Sequence, residues 1–195
     1  MSEEKRLGQA KKRDKKVYIT EIAIEKVPYI EYKGMSREQN IIMRQFARMV
    51  LRLSKDNYDS NEVAVTWNLE TGDSSDFGIA HGDEEHVNLA SDIATFHLLR
   101  SGDRVVLVVL HNHPSTRTFS VEDIFLFIRQ ENMKYIVTVS NQGQIHYIKK
   151  EENYNAQKAV MLYNTIRQEI SSKENSYQIA LAFLRRCSEV GLYYR

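Results

Sequence analysis

Apolar and polar positions follow several different rhythms along this chain, and the changes of rhythm divide it into elements. Val17 to Ile24 is rich in β-branched and aromatic residues with imperfect alternation, and predicts a first strand. Pro28 and Gly34 punctuate the stretch that follows. Ser36-Arg37-Glu38-Gln39 then has the capping-box form, in which serine and glutamine side chains satisfy free backbone N–H groups at a helix start. A helix is expected from there to about Leu53, with Ile42, Phe46, Met49, Val50 and Leu53 on its buried face.

Glu62 to Leu69 reads as a strand, Glu70 to Ser75 as a turn centred on Gly72, and Asp76 to Ala80 as the returning strand of a hairpin. After a polar loop from His81 to Asn88, Leu89, Ile93, Phe96 and Leu98 or Leu99 mark a second helix that ends near Ser101-Gly102. Arg104 to Leu110 is almost wholly apolar, as expected of a strand covered on both faces at the centre of a sheet. A third helix opens at Ser120 and runs to about Asn132. Tyr135 to Val139 and Gln144 to Ile148 form a second hairpin around Asn141-Gln142-Gly143. From Glu151 the chain reads as two helices broken near Ser171-Ser172-Lys173. The order predicts an α/β or α+β fold with a central mixed sheet and flanking helices. Its expected divisions are a tail over 1–16, a domain over 17–150 and a C-terminal helical extension over 151–195.

Composition narrows the class. The 195 residues are 42% hydrophobic and 27% charged, ordinary for a globular protein, and no apolar run approaches the roughly 18 residues of a membrane helix. No secretory signal is recognisable, and Cys187 is the only cysteine, which excludes an intramolecular disulfide or a cysteine-based zinc site. A cytoplasmic protein without membrane attachment is expected. Residues 1–16 carry Lys5, Arg6, Lys11, Lys12, Arg13, Lys15 and Lys16 against three acids, so a net +1 for the chain divides into +4 for this tail and −3 for the rest. Such a tail either solubilises or touches nucleic acid or an acidic partner.

The stretch with chemistry in it is His111-Asn112-His113-Pro114, at the end of the apolar strand. Residues two apart on an extended chain point the same way, so both imidazoles converge on one side of the sheet. That arrangement suits a metal. A third ligand is available in Asp123, in the first turn of the next helix, where a carboxylate also gains from the helix dipole. Ser120 occupies the N-cap, and Ser-x-x-Asp is equally the pattern of a plain capping arrangement. His81, His86, His97 and His146 have no comparable spacing and are expected to be surface or core residues.

His111-x-His113-Pro114 followed by Ser120-x-x-Asp123 resembles the signature of the JAMM (JAB/MPN) metalloprotease superfamily, and the wording of residues 111–115 is similar to its RadC-like bacterial branch. The resemblance implies a JAB/MPN-like domain, of cytidine-deaminase-like architecture, over about residues 17–150. It implies Zn2+ held by His111, His113 and Asp123, with Ser120 helping to place the reacting water or oxyanion. It further implies an upstream glutamate as general base, and Glu62, at the start of Glu62-Val63-Ala64-Val65, stands where the family carries it. The spacing between His113 and Ser120 is one residue shorter than the family's.

The function so implied is zinc-dependent hydrolysis of a peptide or isopeptide bond in a protein or peptide substrate, perhaps ubiquitin-like. Two other functions are compatible with the sequence. One is a RadC-like protein acting on or binding DNA, with the basic tail engaging nucleic acid. The other is a catalytically inactive JAB-type binding module. The sequence leaves the oligomeric state open.

Overall fold

The computed structural model describes residues 17–195 apart from 59, 72–76, 85, 101–103, 115–117 and 171–175. The basic tail, the turn at Gly72, the helix end at Ser101-Gly102 and the break at Ser171-Ser172-Lys173 lie outside the described residues.

Val17 to Ile24 departs from expectation. Val17–Thr20 is irregular and Glu21–Glu25 is a short helix, α1. The Thr20 hydroxyl accepts the Ala23 N–H at 3.2 Å, an N-cap, and Glu21 follows in the first turn. The buried positions Ile19, Ala23, Ile24 and Val27 fall at helical spacing, whereas a strand would bury every second residue. β-Propensity yields here to capping and burial.

Helix α2 spans Arg37–Asp56 behind the expected capping box: the Ser36 Oγ accepts from Gln39 N at 3.2 Å, and the Gln39 Oε1 accepts from Ser36 N at 2.9 Å. Its buried face is Met43, Phe46, Ala47, Val50 and Leu51, with Ile42, Met49 and Leu53 at the margins.

Strands β1 (Val63–Asn68) and β2 (Phe77–His81) form the first hairpin. A 3-10 turn over Leu89–Ser91 precedes α3 (Ile93–Arg100). The central strand β3 spans Leu107–His113, later than the apolar run alone suggests, because pairing with neighbours on both sides carries it through both histidines. Helix α4 (Val121–Arg129) connects it to β4 (Met133–Ser140), which turns back through Gly143 (φ +85°) into β5 (Ile145–Lys150).

Helices α5 (Ala156–Glu169) and α6 (Ser176–Arg186) follow, and a 3-10 turn leads to β6 (Leu192–Tyr194), which pairs with β5. The C-terminal segment thus supplies an edge strand as well as two helices. Its residues Leu162, Ile166, Phe183 and Leu184 share one core with Ile124 and Phe127.

The sheet order is β2-β1-β3-β4-β5-β6, with only β3 and β4 parallel. It is a six-stranded mixed sheet of an α/β protein. One face is covered by α1 and α2 around Trp67, Phe46 and Tyr135, the other by α3 to α6 around Phe119, Phe127 and Phe183. Among the described residues, no helix is long and apolar enough to cross a membrane.

Candidate metal centre

Alternation along β3 decides what each side chain faces. Val109, His111 and His113 point to the α4 side, and Val108, Leu110 and Asn112 to the α2 side. β3 ends beside the start of α4, so the histidines meet the helix N-terminus at the carboxyl end of a parallel strand, a common place for a site in α/β sheets. In β1, Ala64 lies opposite His111 as the last pair of that ladder, and Glu62 lies two residues before Ala64.

Asp123 uses its two oxygens differently. Oδ2 accepts the Ser120 N–H at 2.8 Å, while Ser120 Oγ accepts the Asp123 N–H at 3.0 Å, closing a reciprocal cap. Oδ1 lies 3.2 Å from His111 Nε2, so the shorter loop does not keep the aspartate from the histidine. The capping arrangement and the ligand-like contact coexist in one residue.

The His111 contact is close without being a hydrogen bond. Its Nε2 is buried and without a hydrogen-bond partner, and His111 is only 3% exposed. An imidazole nitrogen denied both water and an aligned partner is costly unless something else takes its lone pair or proton. Two ligands of a tetrahedral zinc at about 2.0–2.1 Å stand roughly 3.3 Å apart, close to the separation seen here. The donor set, imidazole and carboxylate, suits that ion.

His113 shares the face of His111, with ring centroids 6.3 Å apart and planes at 49°. Rings bound through nitrogen to one such zinc would stand about 5 Å apart, so the His113 side chain must rotate to join the pair. As placed, no group of three His, Cys, Asp or Glu side chains among the described residues is close enough to hold a metal. The structure therefore assembles His111 with Asp123 and Ser120 and leaves His113 adjacent.

Glu62 is 5% exposed. Its N–H donates to Asp83 O at 2.8 Å and its carbonyl accepts Gly82 N at 2.8 Å, extending the β1–β2 hairpin by one residue. Burial pushes its carboxyl up to about 8, Asp123 and Asp83 add to the rise, and His111 opposes it. For His111, burial disfavours the charge, but Asp123 and Glu62 outweigh it and raise the imidazole to about 9. For Asp123, burial opposes ionisation, but His111 and the Ser120 cap hold it well below the usual carboxylate range. Glu62, His111 and Asp123 thus form one electrostatic unit.

Asn112 is a residue that the sequence reasoning did not single out. Fully buried, it accepts the Val63 N–H on Oδ1 at 2.7 Å and donates from Nδ2 to Asn141 Oδ1 at 3.0 Å. Asn141 in turn donates from Nδ2 to Val17 O at 2.6 Å and from its backbone to His113 O at 3.2 Å. This amide chain ties the residue next to Glu62 to the strand of the histidines. Its signal in the sequence is a polar residue between two histidines of a buried strand, which must bury its amide on the opposite face.

The other histidines behave as expected. His81, His86 and His97 are exposed, and His146 stacks on Tyr194 with ring centroids 6.2 Å apart. No protein-family model, no curated protein and no solved structure matches this chain.

Proposed function

We propose that this chain is a JAMM-type zinc hydrolase that cleaves peptide or isopeptide bonds, with a protein or peptide substrate of which a ubiquitin-like conjugate is one candidate. The observation that carries this reading is the contact of the buried His111 Nε2 with Asp123 Oδ1 at 3.2 Å, without an aligned hydrogen bond between them. His111, His113 and Asp123 would hold the metal. Zinc bound there supplies Lewis acidity toward water and a substrate carbonyl.

The chain's own groups have separate tasks. Glu62 takes the proton of the attacking water on its carboxylate and returns it to the leaving nitrogen, as its burial beside His111 and Asp123 suits. The Ser120 hydroxyl, whose oxygen already accepts the Asp123 N–H, donates its proton toward the developing oxyanion. The amide chain through Asn112 fixes the start of β1, and with it Glu62, against β3.

The test is metal analysis of the purified protein together with cleavage of a panel of ubiquitin-like fusions and isopeptide conjugates. Glu62→Gln is expected to keep zinc and fold while losing about 10²- to 10⁴-fold in rate. Near wild-type cleavage by Glu62→Gln would move the base to another residue. Stoichiometric zinc with no cleavage of any amide would favour a binding module over a peptidase.

A further inference from the structure

The segment Val17–Ile19 makes three hydrogen bonds that lead to three different loops around the candidate centre. Val17 N donates to Pro114 O at 3.1 Å, Val17 O accepts from Asn141 Nδ2 at 2.6 Å, and Ile19 N donates to Ser60 Oγ at 3.1 Å. Pro114 follows His113, and Ser60 stands two residues before Glu62, so the segment reaches from the histidine side of the centre to the glutamate side. Asn141 closes the circuit, because its backbone N–H donates to His113 O at 3.2 Å. The β1–β3 ladder ends at Ala64 and His111, so backbone pairing does not tie Glu62 to His113 beyond it. The three bonds supply a link where the sheet stops.

Both ends of this link are built firmly. Ser60 is buried and has left-handed backbone (φ 77°), unusual for a residue with a Cβ. Its turn is held by Ser60 N donating to Ser54 O at 2.9 Å and Ser54 Oγ donating to Asn61 O at 2.6 Å. Conformational cost is thus accepted in a turn whose buried hydroxyl receives Ile19. The Ile19 side chain is itself buried in the core beneath α2. At the other end, α1 closes on the turn that carries Asn141: a Cβ at Gly143 would lie 2.7 Å from Ala23 O, an approach that glycine permits.

We propose that Val17–Ile19 is a strap that sets the two sides of the centre, Glu62 and His113, against each other, with Ser60 and Asn141 as its positioning residues, a role that rests on the reading of Glu62 and the histidines as one centre. Packing alone is met by burial of Ile19. The bonds to Pro114, Asn141 and Ser60 add direction, and all three lead to segments that carry site residues. A strap held at both ends transmits the loss of one end to the other, which separates it from two independent anchors.

The experiment uses the full chain and begins with residue-resolved amide exchange of the metal-free protein. Ser60→Gly removes the hydroxyl but suits the left-handed backbone, so its melting temperature should stay within about 3 °C of wild type. Exchange should nevertheless quicken about tenfold at Ile19 and also at Val17 and Asn141, whose acceptors lie on the histidine side. Zinc titrations follow. Ser60→Gly and Val17→Pro, which lacks the donor to Pro114 O, should each weaken zinc about tenfold, and the double variant should be weaker than either by no more than about twofold, since one strap is released only once. Quickened exchange confined to Ile19 would overturn the proposal. So would a double variant weakened about a hundredfold, which would make the two ends independent anchors. If Val17→Pro does not fold, the exchange result decides alone. A wild-type protein that binds no zinc overturns the metal reading, and the exchange in metal-free protein still decides the strap.

Discussion

A charged side chain lies against each end of helix α4, and the two ends are built to different standards of completeness. At its C-terminus, Lys150 is 4% exposed, its Nζ donates to Gln130 O at 2.6 Å, and it sits 4.9 Å from the ring centroids of both Phe127 and Tyr154. Tyr154 Oη adds a donation to Ile128 O at 2.7 Å. At its N-terminus, Asp123 is capped by Ser120, but the His111 nitrogen facing it has no hydrogen-bond partner. Both ends obey the helix dipole, acid at the start and cation at the end. The difference lies in what is left over. Lys150 has an acceptor and two aromatic faces, whereas His111 Nε2 has a carboxylate at contact distance and no bond. Charge by itself is a property of both ends; what sets them apart is an aligned acceptor for Lys150 and none for His111 Nε2.

The largest expected effect separates the two ends by metal content. His111→Ala and His113→Ala should each abolish stoichiometric zinc, because each would remove one of the three protein ligands proposed for it, while Lys150→Met should retain it fully. Metal analysis of the three purified variants decides the matter. Full zinc occupancy in His113→Ala would show that the ring's rotation toward His111 is not what completes the centre.

The pH dependence of stability comes next. In metal-free protein, His111 is raised to about 9, so its contribution is complete below its unfolded value of about 6.5 and is lost as pH rises through 9. Glu62, raised to about 8, contributes in the same sense, complete below about 4.5 and lost as pH rises through 8. Asp123, held low, works on the acid side, its contribution disappearing as pH falls below the usual carboxylate range. Lys150 opposes the first two: burial lowers it to about 8, so between there and its unfolded value near 10.4 the unfolded chain binds the extra proton and stability rises with pH. Denaturant midpoints from pH 6 to 9 should therefore fall for the metal-free protein. Saturating zinc should flatten the fall, since a ligating imidazole must already be neutral. An equally steep fall with zinc bound would mean that His111 is not a ligand.

The same contrast explains what the sequence makes visible. The histidines, the aspartate and the capping serine are adjacent in sequence to a strand end and a helix start, so local pattern is enough to bring them together. Both hairpins and the capping box at Ser36 are local in the same way. The segment from Val17 to Ile24 misleads because its composition favours a strand, while a single threonine cap and the demands of burial decide for a helix. β6 is three residues long, too short to show a period, and exists because Leu192, Tyr193 and Tyr194 find the edge of β5 more than forty positions earlier in the chain. Lys150 looks like one more strand-end lysine until Tyr154 and Phe127 close around it. Asn112 and Asn141 are twenty-nine positions apart, and their pairing is a property of the folded sheet.

Lys150 provides the third prediction. Lys150→Met keeps the aliphatic volume but leaves Gln130 O without its donor, which should cost about 1–3 kcal/mol of stability at neutral pH. Chemical denaturation measures it. The loss should not depend on zinc, because the affected carbonyl is at the far end of the helix from Asp123. A zinc-dependent loss would show that the two ends of α4 are coupled through the helix, and the comparison would then be between parts of one device.

Ser120 carries the smallest stability effect and the finest distinction, because its oxygen serves the cap and its proton is the group proposed for the chemistry. Ser120→Ala should cost about 1 kcal/mol through loss of the cap to Asp123 N, whereas Ser120→Gly at the same N-cap should cost only a few tenths. Both substitutions remove the hydroxyl proton, and loss of one oxyanion donor is typically worth about 10²- to 10³-fold in kcat. Measured side by side on any substrate the wild type cleaves, the two variants should therefore differ in melting temperature yet be slowed alike, with zinc content unchanged. If Ser120→Gly instead recovers the rate along with the stability, the serine acts only by seating Asp123, and the oxyanion must find its donor elsewhere.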